Sequence, residues 1–139
     1  MMNPEESLQM SQLVRKAMSV TPGEFRPCAM FDDRLDCIRV LARDCSFTEI
    51  RVDSGLTIIE DNYPASSARK YVGFTVKGAR HFCQSQGLSL SMPIRVVEIL
   101  DALVKASPDP VVRMIIDRVA KPLVEEERID AVSLELAPA

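Results

Sequence analysis

The sequence predicts an α+β domain with N-terminal helices, a three-stranded antiparallel meander and a C-terminal apolar helical hairpin. Alternating apolar residues separated by turn residues indicate short strands within 48–76. Two segments, 91–106 and 110–120, carry apolar residues on more than one helical face. At 139 residues the chain is long enough for one buried core.

One domain is expected over 1–139, in three parts: an N-terminal helix and linker (1–27), a helix plus antiparallel sheet (28–90), and a helical hairpin and tail (91–139). The first helix begins with Asn3 as cap and Pro4 in the first turn, and it ends by Val20. The segment 32–44 is predicted to be helical, because its apolar positions follow helical spacing: Phe31, Leu35, Ile38, Leu41 and Cys45.

The meander comprises strands at 48–52, 56–60 and 71–76. The turn at 53–55 contains Gly55, which can adopt positive φ. A short helix at 78–86 is closed by Gly87. The segment 131–136 alternates and predicts a last strand, paired to the sheet edge or to another chain.

The central helix is predicted over 91–106, with Ser91 as N-cap and Pro93 in its first turn. Its polar residues form a narrow stripe, so the helix must be covered on several sides. The next helix follows Asp109 and is ended or kinked by Pro122. This apolar excess suggests a homodimer or a partner interface formed by Val97, Leu100, Val104, Val112, Ile115, Ile116 and Val119.

Charge is unevenly distributed along a chain of net charge −3. Residues 62–97 hold five basic residues and no acid. Either these bases face acids elsewhere in the fold, or they contact an anionic partner such as nucleic acid. The candidate contacts are Arg69, Lys70, Lys77, Arg80, Ser89, Ser91 and Arg95.

Catalytic and cofactor motifs are missing from the sequence. His81 is the only histidine, so a Cys–His pair would have to join it to Cys37 or Cys45. Neither zinc-finger spacing nor a phosphate-binding glycine motif occurs. We therefore expect no enzyme, no cofactor and no metal. The N-terminus lacks a secretory signal and no apolar run could span a membrane, so a cytoplasmic protein with free thiols is expected.

Two partial resemblances add to this interpretation. Residues 34–94 resemble the N-terminal domain of hexameric secretion and conjugation motor ATPases, through Asp44, Thr48, Glu49 and Ile50 and through Gly87 and Pro93. That resemblance implies a protein-contact module, because the nucleotide-binding domain is missing.

Residues 88–129 are similar to ribbon-helix-helix DNA-binding proteins, since LSLSMP precedes two apolar helices. This resemblance implies a dimer in which Ser89 and Ser91 face DNA. The leading functional hypothesis is a non-enzymatic protein-binding module (adaptor, inhibitor or regulator) acting as a small cytosolic homodimer. The alternative is a dimeric transcriptional regulator of ribbon-helix-helix type.

Overall fold

A seven-stranded mixed sheet forms the centre of the computed structural model, which describes residues 25–66, 68–90 and 93–134. Its strands are β1 (Cys28–Asp32), β2 (Cys37–Leu41), β3 (Phe47–Arg51), β4 (Leu56–Asp61), β5 (Tyr71–Lys77), β6 (Ile94–Arg95) and β7 (Ala131–Leu134). They are ordered β3-β4-β5-β2-β1-β7-β6. Among the strands that the structure describes, only β1 and β7 pair in parallel. The predicted N-terminal helix lies outside the described residues.

The helices are α1 (Ala79–Ser85), α2 (Val96–Ala106), α3 (Pro110–Ile115) and α4 (Lys121–Glu126). A π-helical turn (Ile116–Ala120) joins α3 to α4 without interruption. In a regular α-helix Pro122 would lack an N–H to donate, and its ring would clash with the carbonyl four residues earlier. The wider π turn directly before it accommodates the proline. Among the described helices, none is long and apolar enough to cross a membrane.

The described helices all pack on one face of the sheet. Strand pairing aligns two apolar rows on that face: Phe31, Ile38, Val76 and Leu56, and Ala29, Val40, Phe74 and Ile58. Against these rows lie Cys83 of α1, Leu100 of α2, Ile116 of the π turn and Leu123 of α4. The apolar helices therefore cover the sheet of their own chain.

The predicted meander with a C-terminal helical hairpin is wrong as a fold. The three expected strands exist as β3, β4 and β5, but four further strands extend the sheet. The helical segment is not a separate hairpin, because β6 precedes α2 and β7 follows α4. Of the four further strands, β7 was predicted as a last strand, whereas β1, β2 and β6 were not predicted.

The expected helix over 32–44 is also wrong, since β1 and β2 form an antiparallel pair there. The Asp32 carboxylate closes the turn by accepting the N–H groups of Arg34 (3.0 Å) and Leu35 (3.2 Å). Leu35, which completed the apparent helical spacing, is 65% exposed. The buried residues of this pair instead alternate, with Phe31 and Ile38 facing the core.

The central helix begins at Val96 and not at Ser91, which lies outside the described residues. Ile94 and Arg95 form β6 against Val132 and Ala131. The last predicted strand is present as β7, but it lies inside the sheet between β1 and β6. Its backbone groups are thus engaged on both sides by its own chain.

Asp36, in the turn between β1 and β2, caps helix α1 from a distant part of the sequence. The cap position of α1 is Gly78, which has no side chain to offer. The Asp36 carbonyl accepts the Ala79 N–H at 3.0 Å, and its carboxylate accepts the Arg80 N–H at 2.9 Å. This contact fixes the first turn of α1 against the sheet.

Candidate protein-binding surface

A groove of about 360 Å³ opens where the first turn of α2 meets the end of α4. It is lined by Val97, Val124, Glu125, Arg128, Ile129 and Asp130. Val124 and Ile129 are buried, at 2% and 5% exposure, whereas Val97 is 36% exposed. We call these six residues the α2–α4 groove. It combines apolar walls with a charged rim, as protein-binding sites do.

The α2–α4 groove is shaped by the hydrogen bonds that end α4. The Ile129 N–H donates to the Val124 carbonyl at 3.0 Å, and the Arg128 N–H donates to the Glu125 carbonyl at 3.4 Å. This pattern is a Schellman motif, in which the residue after the cap takes a left-handed conformation. Glycine usually occupies that position, yet here Arg128 has φ 54°.

Helix α1 ends with the same motif but has the expected residue. Gly87, at φ 72°, donates its N–H to the Gln84 carbonyl at 3.2 Å, and the Leu88 N–H donates to the Cys83 carbonyl at 2.8 Å. An L-residue in this conformation costs roughly 1–2 kcal/mol. The strain at Arg128 is consistent with a functional requirement for its side chain at the rim.

Replacing Arg128 with glycine is expected to stabilise the protein by about 0.5–1 kcal/mol. The relieved backbone strain exceeds the added entropy of glycine in the unfolded chain. The urea unfolding midpoint measures this change. As a mirror control, Gly87→Arg should destabilise by a similar amount, since no atom within 4 Å obstructs a Cβ there and only the backbone is strained. A lower midpoint for Arg128→Gly would show that Arg128 makes a stabilising contact.

The rim of the groove holds two acids, Glu125 and Asp130, and one base, Arg128. Asp130 lies 3.6 Å from the Arg95 guanidinium, and Glu126 pairs with Arg69 beside the groove. Glu125 and Glu127 are exposed and form no ion pair within the described part of the chain. The two glutamates can therefore pair with basic groups on a partner, and Arg128 with an acidic one.

The seven predicted interface residues separate into three groups. Leu100, Val112 and Ile116 lie in the core at 0–1% exposure. Val104, Ile115 and Val119 are half-buried and pack against that core. Only Val97 lines the groove. Val111 and Met114 of α3 are more exposed than Val97, at 53% and 44%, but they do not line the groove.

The predicted basic contacts are mostly engaged with acids. Arg69 pairs with Glu126, Lys70 with Glu60 at 3.2 Å, Arg80 with Asp33, and Arg95 with Asp130. Lys77 is exposed at the end of β5. Ser89 has an interaction partner, and Ser91 lies outside the described residues. The structure thus does not gather these residues into one free cationic surface.

The thiols are poorly suited to nucleophilic chemistry. Burial raises the pKa of the Cys37, Cys45 and Cys83 thiols, which favours the neutral form at physiological pH. His81 is exposed on α1, whereas Cys37 is buried in β2. In residues 25–66, 68–90 and 93–134, no three His, Cys, Asp or Glu side chains form a group that could hold a metal ion.

Asp61, at the end of β4, gives the fold a pH-dependent contact. Its carboxylate accepts the Tyr63 N–H at 3.0 Å and the Arg43 guanidinium at 2.6 Å. These hydrogen bonds lower the pKa of Asp61 below its ordinary value of 3.8. Stabilisation is therefore complete above pH 3.8 and is lost as the pH falls through the folded pKa.

Asp61→Asn should accordingly lower the urea midpoint at neutral pH, because asparagine cannot form the charged pair with Arg43. The difference from the wild type should shrink when the pH falls below 3.8. Urea unfolding of both proteins over a pH series measures this. A difference that stays constant with pH would mean that the carboxylate charge contributes nothing.

Comparison with known proteins finds no family model, no curated protein and no solved structure that matches this chain. Its function must therefore be inferred from the surfaces described above.

Proposed function

We propose that this protein is a non-enzymatic protein-binding module, an adaptor, inhibitor or regulator that acts as a small cytosolic homodimer. The observation that carries the proposal is the α2–α4 groove with Arg128 strained at its rim. Folding alone would favour glycine at this position. A partner that contacts the Arg128 side chain would explain why the strained residue is present.

The partner segment presents an apolar side chain flanked by basic ones. Val97, which is 36% exposed, favours an apolar group on the partner, because burial would remove its surface from water. Val124 and Ile129 are already buried and contribute the apolar floor of the groove. Glu125 lines the groove, and the exposed Glu127 lies two residues further along the chain; each favours lysine or arginine on the partner. Arg128 is placed to donate hydrogen bonds to a carbonyl or carboxylate of the same segment.

The nucleic-acid alternative gains no support from the described surfaces. Four of its candidate bases lie in ion pairs with acids. Of the expected ribbon strand at 88–93, the described residues 88–90 lie in no strand.

A peptide titration followed by two-dimensional NMR tests the groove. The probe is a synthetic peptide with one central leucine flanked by lysines, and the comparison peptide has glutamates in place of the lysines. The lysine peptide should shift the amide signals of groove residues, and Val97→Glu should abolish those shifts. The glutamate peptide should leave the groove signals unchanged.

Val111→Glu is the matched control, because Val111 is another exposed helical valine that lies outside the groove. This variant should bind the lysine peptide as the wild type does. Equal binding of both peptides, or retention of binding by Val97→Glu, would overturn the proposal. Folding of both variants is checked by their urea midpoints.

A further inference from the structure

The two edges of the sheet differ in their capacity to pair with another strand. The edge strand β6 has two residues and directly follows Pro93, which has no N–H. Shortness and proline are common protections against edge pairing. The opposite edge strand, β3, has five residues and no proline. Among the described strands, β3 is thus the edge that can accept a partner.

Its hydrogen bonds identify the backbone groups that face outward. The Val52 N–H donates to the Leu56 carbonyl at 2.9 Å, and the Asn62 N–H donates to the Ser46 carbonyl at 2.9 Å. Even-numbered residues from 46 to 52 therefore direct their backbone groups toward β4. By alternation, Phe47, Glu49 and Arg51 direct theirs toward the free edge.

We propose that a second copy of this chain pairs antiparallel with β3, with the two-fold axis passing through Ile50. This inference rests on the homodimer in the proposed function and names its interface. The odd-numbered residues of one copy, whose backbone groups face outward, must pair with odd-numbered residues of the other copy. The two-fold axis can therefore lie only at a residue position and not between two consecutive residues. An axis at Glu49 pairs two glutamates, and an axis at Arg51 pairs two arginines. An axis at Ile50 pairs Glu49 with Arg51 twice.

The side chains support this register on both faces. Ile50, on the helix side, is 40% exposed and would pack against its own copy. On the other face, the Glu49 Oε1 atom accepts bonds from Arg39 (3.1 Å) and Thr75 (3.2 Å). The second oxygen of Glu49 remains for the Arg51 guanidinium of the other copy. Two charged pairs and four backbone hydrogen bonds would join the strands.

The expected dimer is weak and reversible. A single pair of five-residue strands buries less than the roughly 1,200–2,000 Å² of a stable complex. Sedimentation equilibrium over a wide concentration range, with the full chain, therefore measures it. A wild type that stays monomeric at the highest concentration overturns this inference, whereas the peptide titration tests the groove independently.

The register is tested with two variants, each of which reverses one charge on β3, and with their mixture. Arg51→Glu and Glu49→Arg each place like charges opposite one another, so each should self-associate roughly tenfold more weakly than the wild type. Mixing the two variants places opposite charges together again in a heterodimer. The mixture should therefore associate about as strongly as the wild type. A mixture that stays monomeric overturns the register.

Two further variants separate pairing from folding. Arg51→Pro removes an outward N–H and leaves the N–H groups that bond to β4, so it should prevent dimerisation without unfolding the sheet. Arg118→Glu, at an exposed position of the π turn, makes the same charge change as Arg51→Glu and should associate as the wild type does. Wild-type association of Arg51→Pro would overturn pairing at this edge.

Discussion

Replacing Leu100 with alanine is expected to lower the free energy of unfolding by about 2–5 kcal/mol, as large-to-small core substitutions do. Leu100 is 0% exposed and lies in the cluster that joins α2 to the sheet. Its removal leaves a cavity between rigid elements, because both ends of the helical segment are fixed by β6 and β7. Urea unfolding with a constant m-value measures the loss.

Val97→Ala is the matched control on the same helix. Val97 is 36% exposed, and alanine favours the helix, so its unfolding free energy should change by no more than about 0.5 kcal/mol. The pair of variants separates core from interface. If Leu100→Ala weakened self-association while leaving the monomer equally stable, Leu100 would lie at a subunit interface and its burial in this fold would be wrong.

The sequence could not show whether Leu100 lies in the core of the chain or at a subunit interface. Composition along α2 and α3 suggested that more than one face of each helix is covered. In the structure the buried and half-buried residues of each helix lie on one face, and Val97, Val111 and Met114 on the other faces are exposed. Leu100, Val112 and Ile116 are covered by their own sheet. That sheet has seven strands and offers more apolar surface than the predicted three. Because too few strands were predicted, too many apolar residues were assigned to an intermolecular interface.

The elements that were predicted correctly are those that composition and turn residues mark locally. The strands β3, β4 and β5 span five to seven residues rich in apolar and β-branched side chains, and α1 is followed by a glycine with positive φ. The hairpin of β1 and β2 was wrongly predicted as a helix, because its turn contains Leu35, an exposed apolar residue whose position fits helical spacing. β6, with two residues, is defined only by its pairing with β7.

Most residues of the α2–α4 groove were likewise not predicted from the sequence. Val97 was predicted as a contact, whereas Val124, Arg128 and Ile129 were not. One local signal was available: Val124 and Ile129 are five residues apart and apolar, the spacing of the hydrophobic contact in a Schellman motif. Arginine in place of glycine between them concealed the motif, because only the backbone reveals its positive φ.

Gly73→Ala is expected to be the most damaging small substitution in the sheet. A Cβ at Gly73 would lie 2.2 Å from the Val40 carbonyl oxygen, 3.3 Å from the Leu41 Cα and 3.2 Å from the Ile59 Cδ1. The first two atoms are backbone, so β2 and β5 would have to separate. Overpacking costs roughly 1–3 kcal/mol and sometimes more, and here the upper limit or beyond is expected.

The control for this substitution is Gly55→Ala in the turn between β3 and β4. Contrary to expectation, Gly55 does not adopt positive φ; its N–H donates to the Asp53 carboxylate at 2.8 Å. A Cβ there would meet only that carboxylate, at 3.8 Å, which is an ordinary contact. Gly55→Ala should therefore change the urea midpoint little, while Gly73→Ala lowers it strongly or prevents folding. Equal midpoints would mean that β2 and β5 are farther apart at Gly73 than this fold requires. The bulge beside Ile59 would then have no need of a glycine.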